Sequence, residues 1–108
     1  MADVVLVMVT CGSSGEAESL SRKLLDERLI ACVNIAGRIR SLFRWEGAVA
    51  RESESLLLMK TRRELLGKLC ERIKELHSYE VPEVVAFPIV EGNPDYLNWV
   101  EESVAESD

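Results

Sequence analysis

The chain has 108 residues and a mass of 12.1 kDa, with 47% hydrophobic residues, 30% charged residues and a formal net charge of −6. One domain over residues 1–108 is therefore expected, and the apolar content excludes a disordered or low-complexity segment. The acidic balance speaks against nucleic acid, whose phosphates need a basic surface, and runs such as Val4–Val9 and Leu56–Met59 fall far short of the ~18 apolar residues of a membrane span.

In chain order, Asp3–Thr10 is a β-branched, apolar run closed by Cys-Gly-Ser-Ser-Gly, the pattern of a central strand. Ser13 to Glu16 matches the S-x-x-E capping box, and Ala17, Leu20 and Leu24, with Leu25 and Leu29 beside them, supply a helical stripe. Ile30–Ile35 opens a second strand interrupted by Gly37. Beyond it Ile39, Ser41, Phe43 and Trp45 alternate with Arg38, Arg40, Leu42 and Arg44. Glu46-Gly47 is the turn into a third strand, Ala48–Thr61. Each arm of this hairpin would run roughly 43 Å, against roughly 26 Å for the first strand, so its tip must project beyond the domain.

Thr61 to Glu64 reads as a second capping box, followed by the stripe Leu65, Leu66, Leu69, Cys70, Ile73 and Leu76, which places Cys70 in the core. The helix should stop before Ser78. Glu83–Val90 is a fourth strand, and Pro88 means that it lies at an edge or carries a bulge. Asn93 as N-cap and Pro94 at the first helical position open a short terminal helix whose apolar side is Tyr96, Leu97, Val100 and Val104.

The order β-α-β-β-α-β plus a terminal helix is the α+β, ferredoxin-like split βαβ arrangement, with an extended central hairpin and a short C-terminal helix. It implies an antiparallel sheet in strand order 4-1-3-2 with both main helices on one face. The end of the first strand and the end of the second helix then meet at one end of the sheet, so Cys11, His77 and the segment Ser78–Glu83 converge. His77 is the sole histidine, and the three cysteines, Cys11, Cys32 and Cys70, lack C-x-x-C spacing. A disulfide framework or a self-contained zinc site is thereby excluded. A thiol and an imidazole suit copper or zinc. Two such ligands per chain do not close a site alone, so Glu80, Glu83, water or another subunit would have to complete it.

Strands one and three lack the aromatics an RNA-recognition sheet needs. The arginine-rich run Gly37–Arg44 lies along a strand instead of at a helix N-terminus, where it would cradle an anion. No motif assembles a nucleophile, its base and an oxyanion stabiliser, so a non-enzymatic protein is expected. Met1-Ala2-Asp3 has no basic leader region, so a cytoplasmic location is expected.

Five segments together resemble the CutA divalent-cation tolerance proteins: Ala31-Cys32-Val33-Asn34, Ser41–Gly47, Glu54 to Thr61, His77–Glu83 and Asn93–Trp99. Phe43 stands where that family usually has Tyr, and Ser78 where it usually has Pro. The resemblance implies a homotrimer of ferredoxin-like subunits, architecturally akin to PII signalling proteins, and a role in tolerance to divalent metals, copper especially. It carries the copper-binding thiol and imidazole over to Cys11 and His77. The alternative it leaves is a PII-like sensor that takes a metabolite or nucleotide between subunits.

Overall fold

Strand β1 (Val4–Cys11) is the spine of a four-stranded antiparallel sheet, as its unbroken apolar run requires. The computed structural model describes residues 3–106, so the Met1-Ala2 start and the last two residues lie outside the description. After β1 come α1 (Ser14–Asp26), β2 (Cys32–Trp45), β3 (Ala48–Arg62), a 3₁₀ turn (Arg63–Leu65), α2 (Leu66–Leu76), β4 (Val84–Pro88) and α3 (Pro94–Ser103). The strand order β2-β3-β1-β4 is the expected ferredoxin-like one, with Pro88 ending an edge strand.

Alternation along the strands separates two faces. Val5, Val7, Val9 and Cys11 of β1 and Leu57 and Met59 of β3 point to one side. There they pack with Ala17, Leu20 and Leu24 of α1 and Leu69 and Ile73 of α2 in a single core. By the strand register, Leu6, Met8, Leu56, Leu58, Val85 and Phe87 share the opposite face, which α1 and α2 leave uncovered.

β1 pairs with β3 only from Ser55 to Arg62, so the distal part of β3 has β2 as its sole partner and the hairpin extends past the sheet. The molecule is accordingly 44 Å along its longest axis and 22 Å along its shortest. The turn is Glu46-Gly47, both at positive φ (51° and 80°), which matches the twist of the arms. Where Gly37 breaks the pattern, the register slips between Ala36 and Ile39, and Arg38 takes φ 57°.

Three local expectations are corrected. Thr61 does not cap α2: it is fully buried, and its hydroxyl donates to the Leu29 carbonyl at 2.7 Å. The helix instead starts through the 3₁₀ turn, without a side-chain cap. Cys70 lies at the margin of the core, half-buried, because α2 covers only one side of the sheet and only Leu69 and Ile73 of the helix are buried. Val100 of α3 and Val104 just past its end are buried, whereas Tyr96 stays exposed. Asn93 caps that helix as expected, accepting the Asp95 N–H at 3.0 Å.

Candidate metal centre and the adjoining cleft

The two sequence-selected groups do meet. β1 delivers Cys11 to the core side of the sheet end, and α2 stops so that His77 lands against it. Their donor atoms and a carboxylate oxygen of Glu16 all lie within 4.8 Å of one another. Glu16 is the member the sequence reading assigned elsewhere, as the second half of a capping box. Its N–H does donate to Ser13 Oγ at 3.1 Å. Its carboxylate, however, turns to Ser78 and accepts the Ser78 N–H and hydroxyl, each at 2.9 Å. Glu80 and Glu83 are not in this cluster; they line a cleft outside it.

Each donor carries a distinct protonation state. Burial, reinforced by the charges of Glu16 and Glu54, pushes the Cys11 thiol up to about 12, so it is protonated at neutral pH. Partial burial works against the Glu16 carboxylate, but the hydrogen bonds from Ser78 and the Gly12 N–H outweigh it and hold the pKa below the ordinary glutamate value. The His77 ring is fixed from both sides. Nε2 lies 2.7 Å from the Thr10 carbonyl, which can only accept, so Nε2 carries the ring proton. Nδ1 accepts the Tyr79 N–H at 3.0 Å and stands 3.6 Å from Glu16 Oε2.

One sulfur, one oxygen and one nitrogen donor form a mixed set of soft to borderline character, which fits copper or zinc better than magnesium or calcium. Ligand bonds of about 2.0–2.3 Å would require the three donors to draw together by about 1 Å. Three protein ligands also leave a fourth position open. The residues therefore fit such an ion, provided Cys11 gives up its proton and Nδ1 its present partner.

Round the edge of the sheet from this cluster lies a cleft of about 980 Å³ between the hairpin and the segment after α2. Its lining includes the carboxylates of Glu52, Glu54, Glu80 and Glu83 and the aromatic rings of Phe43, Trp45 and Tyr79. Tyr79 belongs to both places. Its N–H reaches His77, its ring stands 4.7 Å from the imidazole, and its hydroxyl donates to Glu54 at 2.8 Å. Burial and the bond to Glu54 raise the pKa of its phenol, so the hydroxyl stays a donor.

Residues 5–103 match the CutA1 divalent ion tolerance protein family. The divalent-cation tolerance protein CutA of Thermus thermophilus is 47% identical over 98 residues, covering 91% of this chain and 95% of that one. Protein CutA of Mus musculus is 40% identical over 107 residues, and this chain spans 60% of its length. The crystal structure of CutA1 from Oryza sativa superposes with a TM-score of 0.96 at 42% identity, covering 98% of this chain and 97% of that one. With family, fold and sequence in agreement over nearly the whole chain, the protein belongs to the CutA1 divalent ion tolerance family.

Proposed function

We propose that this protein holds a soft or borderline metal ion, copper foremost, through Cys11, His77 and Glu16, and that it serves divalent-cation tolerance without turnover chemistry, in the cytoplasm, as a homotrimer. The observation that carries the metal reading is the convergence of a thiol, an imidazole and a carboxylate within 4.8 Å at the end of β1. Copper would supply strong bonds to sulfur and nitrogen; the chain would supply a pocket in which Cys11 and His77 are buried and Glu16 is partly so, a carboxylate already ionised, and an imidazole oriented by the Thr10 carbonyl. A catalytic role for Cys11 is disfavoured because its thiol is fully buried, its pKa is raised to about 12 and both His77 nitrogens face main-chain groups. Among the described residues no helix is long and apolar enough to cross a membrane, and the three thiols are unpaired, which suits a reducing compartment.

Assembly is supported by the apolar sheet face that α1 and α2 leave open, where Val85 is 42% and Phe87 47% exposed. The two free sheet edges, β2 and β4, differ from each other. Joining unlike edges is a head-to-tail contact, which closes into a ring when the rotation allows. Three copies is the number implied by the CutA resemblance.

Copper(I) and zinc titrations by calorimetry test the metal reading. The expected result is binding to the natural protein and a loss of at least tenfold in affinity in the double variant Cys11→Ser, His77→Ala. Equal affinity in the two proteins refutes the assignment. A PII-like sensor remains the second reading, supported by the cleft beside the cluster. Its four carboxylates outnumber the one guanidinium of its lining, Arg40, and favour a cationic ligand over a phosphate-bearing one; adding nucleotides and amines to the same titrations discriminates between the readings.

A further inference from the structure

The groups that would hold the metal are the same groups that now hold the turn after α2. Both oxygens of Glu16 accept from Ser78, through its N–H and its hydroxyl, each at 2.9 Å. The lone pair of His77 Nδ1 accepts the Tyr79 N–H at 3.0 Å. Nδ1 has a single lone pair, so an ion seated there must displace the Tyr79 N–H of the turn, whereas each Glu16 oxygen keeps a further lone pair for the ion beside its Ser78 bond. That turn is in contact with the cleft, because the Tyr79 hydroxyl donates to Glu54 at 2.8 Å and packs over Gly12, where an added Cβ would stand 3.3 Å from the hydroxyl oxygen. Glu54 sits at the root of the hairpin, opposite Ile39 just past the register slip.

We propose that Ser78-Tyr79 is a latch released by metal capture, so that occupancy of the buried Cys11, Glu16 and His77 cluster is read out as a change in the floor of the cleft beside the hairpin. The inference rests on the metal reading above and adds to it a route out of the site. In the metal-free protein the latch is closed, with Tyr79 spanning from His77 to Glu54. In the loaded protein the Tyr79 N–H loses its acceptor, the turn it shares with Ser78 loosens, and Tyr79 is no longer drawn toward both ends. Tyr79 and Ser78 are then positioning residues of the closed form that compete with the ion. Weakening the latch should strengthen metal binding, the opposite of what losing a ligand does.

The test uses zinc, which is diamagnetic, on the intact protein. Amide hydrogen exchange at Ser78 and Tyr79, followed by NMR with and without saturating zinc, should speed up at least tenfold on loading. Tyr79→Phe keeps the ring and removes only the bond to Glu54, and should tighten zinc binding by about tenfold or more, the scale of one hydrogen bond to a charged group. Ser78→Ala should act in the same direction and serves if the first variant folds poorly. Zinc binding with unchanged or slowed exchange at both amides, or with unaltered affinity in both variants, overturns the latch and leaves the metal site standing. If zinc does not bind, copper(I), also diamagnetic, takes its place in the same measurements, and absence of binding by both ions overturns both readings.

Discussion

Cys11 is shut away from solvent beside two carboxylates, and that environment dictates how the site must respond to pH. Its thiol pKa of about 12, raised first by burial and then by Glu16 and Glu54, means the metal-free site carries a proton on sulfur throughout the neutral range. An ion that binds the thiolate expels that proton, so affinity rises with pH. Glu16 adds no proton to the exchange because its pKa is held below the ordinary value. Between pH 6.5 and 7.5 the release of one proton from Cys11 predicts about a tenfold gain in zinc affinity. Calorimetry at the two pH values measures it, and a flat profile would remove Cys11 from the ligand set. The same burial predicts that Cys11 resists alkylation while the half-buried Cys32 and Cys70 react first.

At the scale of elements, the hairpin carries a local conflict. Arg38 holds φ 57° within the register slip of β2, a conformation in which its Cβ crowds the backbone, while Gly37 beside it sits at the position that does not require one. Arg38 is exposed, so its side chain is not needed for packing. Arg38→Gly is therefore predicted to stabilise the protein by about 0.5–1 kcal/mol. Urea denaturation with an unchanged slope and a higher midpoint would confirm it; a lower midpoint would refute the strain at Arg38. Arg28, just past α1, takes the same left-handed φ (58°), but there the guanidinium is used, donating to the Val104 carbonyl at 3.3 Å. α1 is capped by Ser13, α3 by Asn93, and α1 and α2 are joined by the fork of Arg72 onto Glu27, at 2.8 and 2.9 Å.

For the molecule as a whole, the decisive feature is surface that a monomer has no use for. The hairpin exposes Leu42 by 69%, Trp45 by 63% and Val49 by 67%, and a two-stranded ribbon of this length is marginal alone in water. Sedimentation equilibrium at micromolar concentration should give three times the 12.1 kDa chain mass. A single-chain mass refutes assembly, and a doubled one refutes the trimer. Trp45→Asp should lower the mass toward one chain while the far-ultraviolet spectrum persists, because Trp45 lies at the hairpin tip, opposite Ala48 and outside the cluster that packs the core. Loss of the fold together with the assembly would mean that subunit and oligomer form as one unit.

Most of the architecture is legible in the chain because it depends on periodicities that survive any context. β-branched runs make β1, a 3.6-residue stripe makes α1 and α2, and the length mismatch between β1 and the hairpin arms forces the projection. The meeting of Cys11 with His77 is legible for the same reason, since topology alone sends both to one end of the sheet. What the chain does not reveal is where a side chain finds its partner when several are within reach. Glu16, three residues after Ser13, reads as a cap because its nearest sequence partner is that serine; only the folded sheet brings Ser78, 62 positions away, close enough to claim its carboxylate. Thr61 likewise reads as a cap, yet the fold buries it fully beside Leu29, 32 positions away, and its hydroxyl serves that carbonyl instead. Sequence periodicity determined which elements form and which ends they share; the competition among donors and acceptors at those ends was decided by tertiary structure, because it depends on distances that only packing sets.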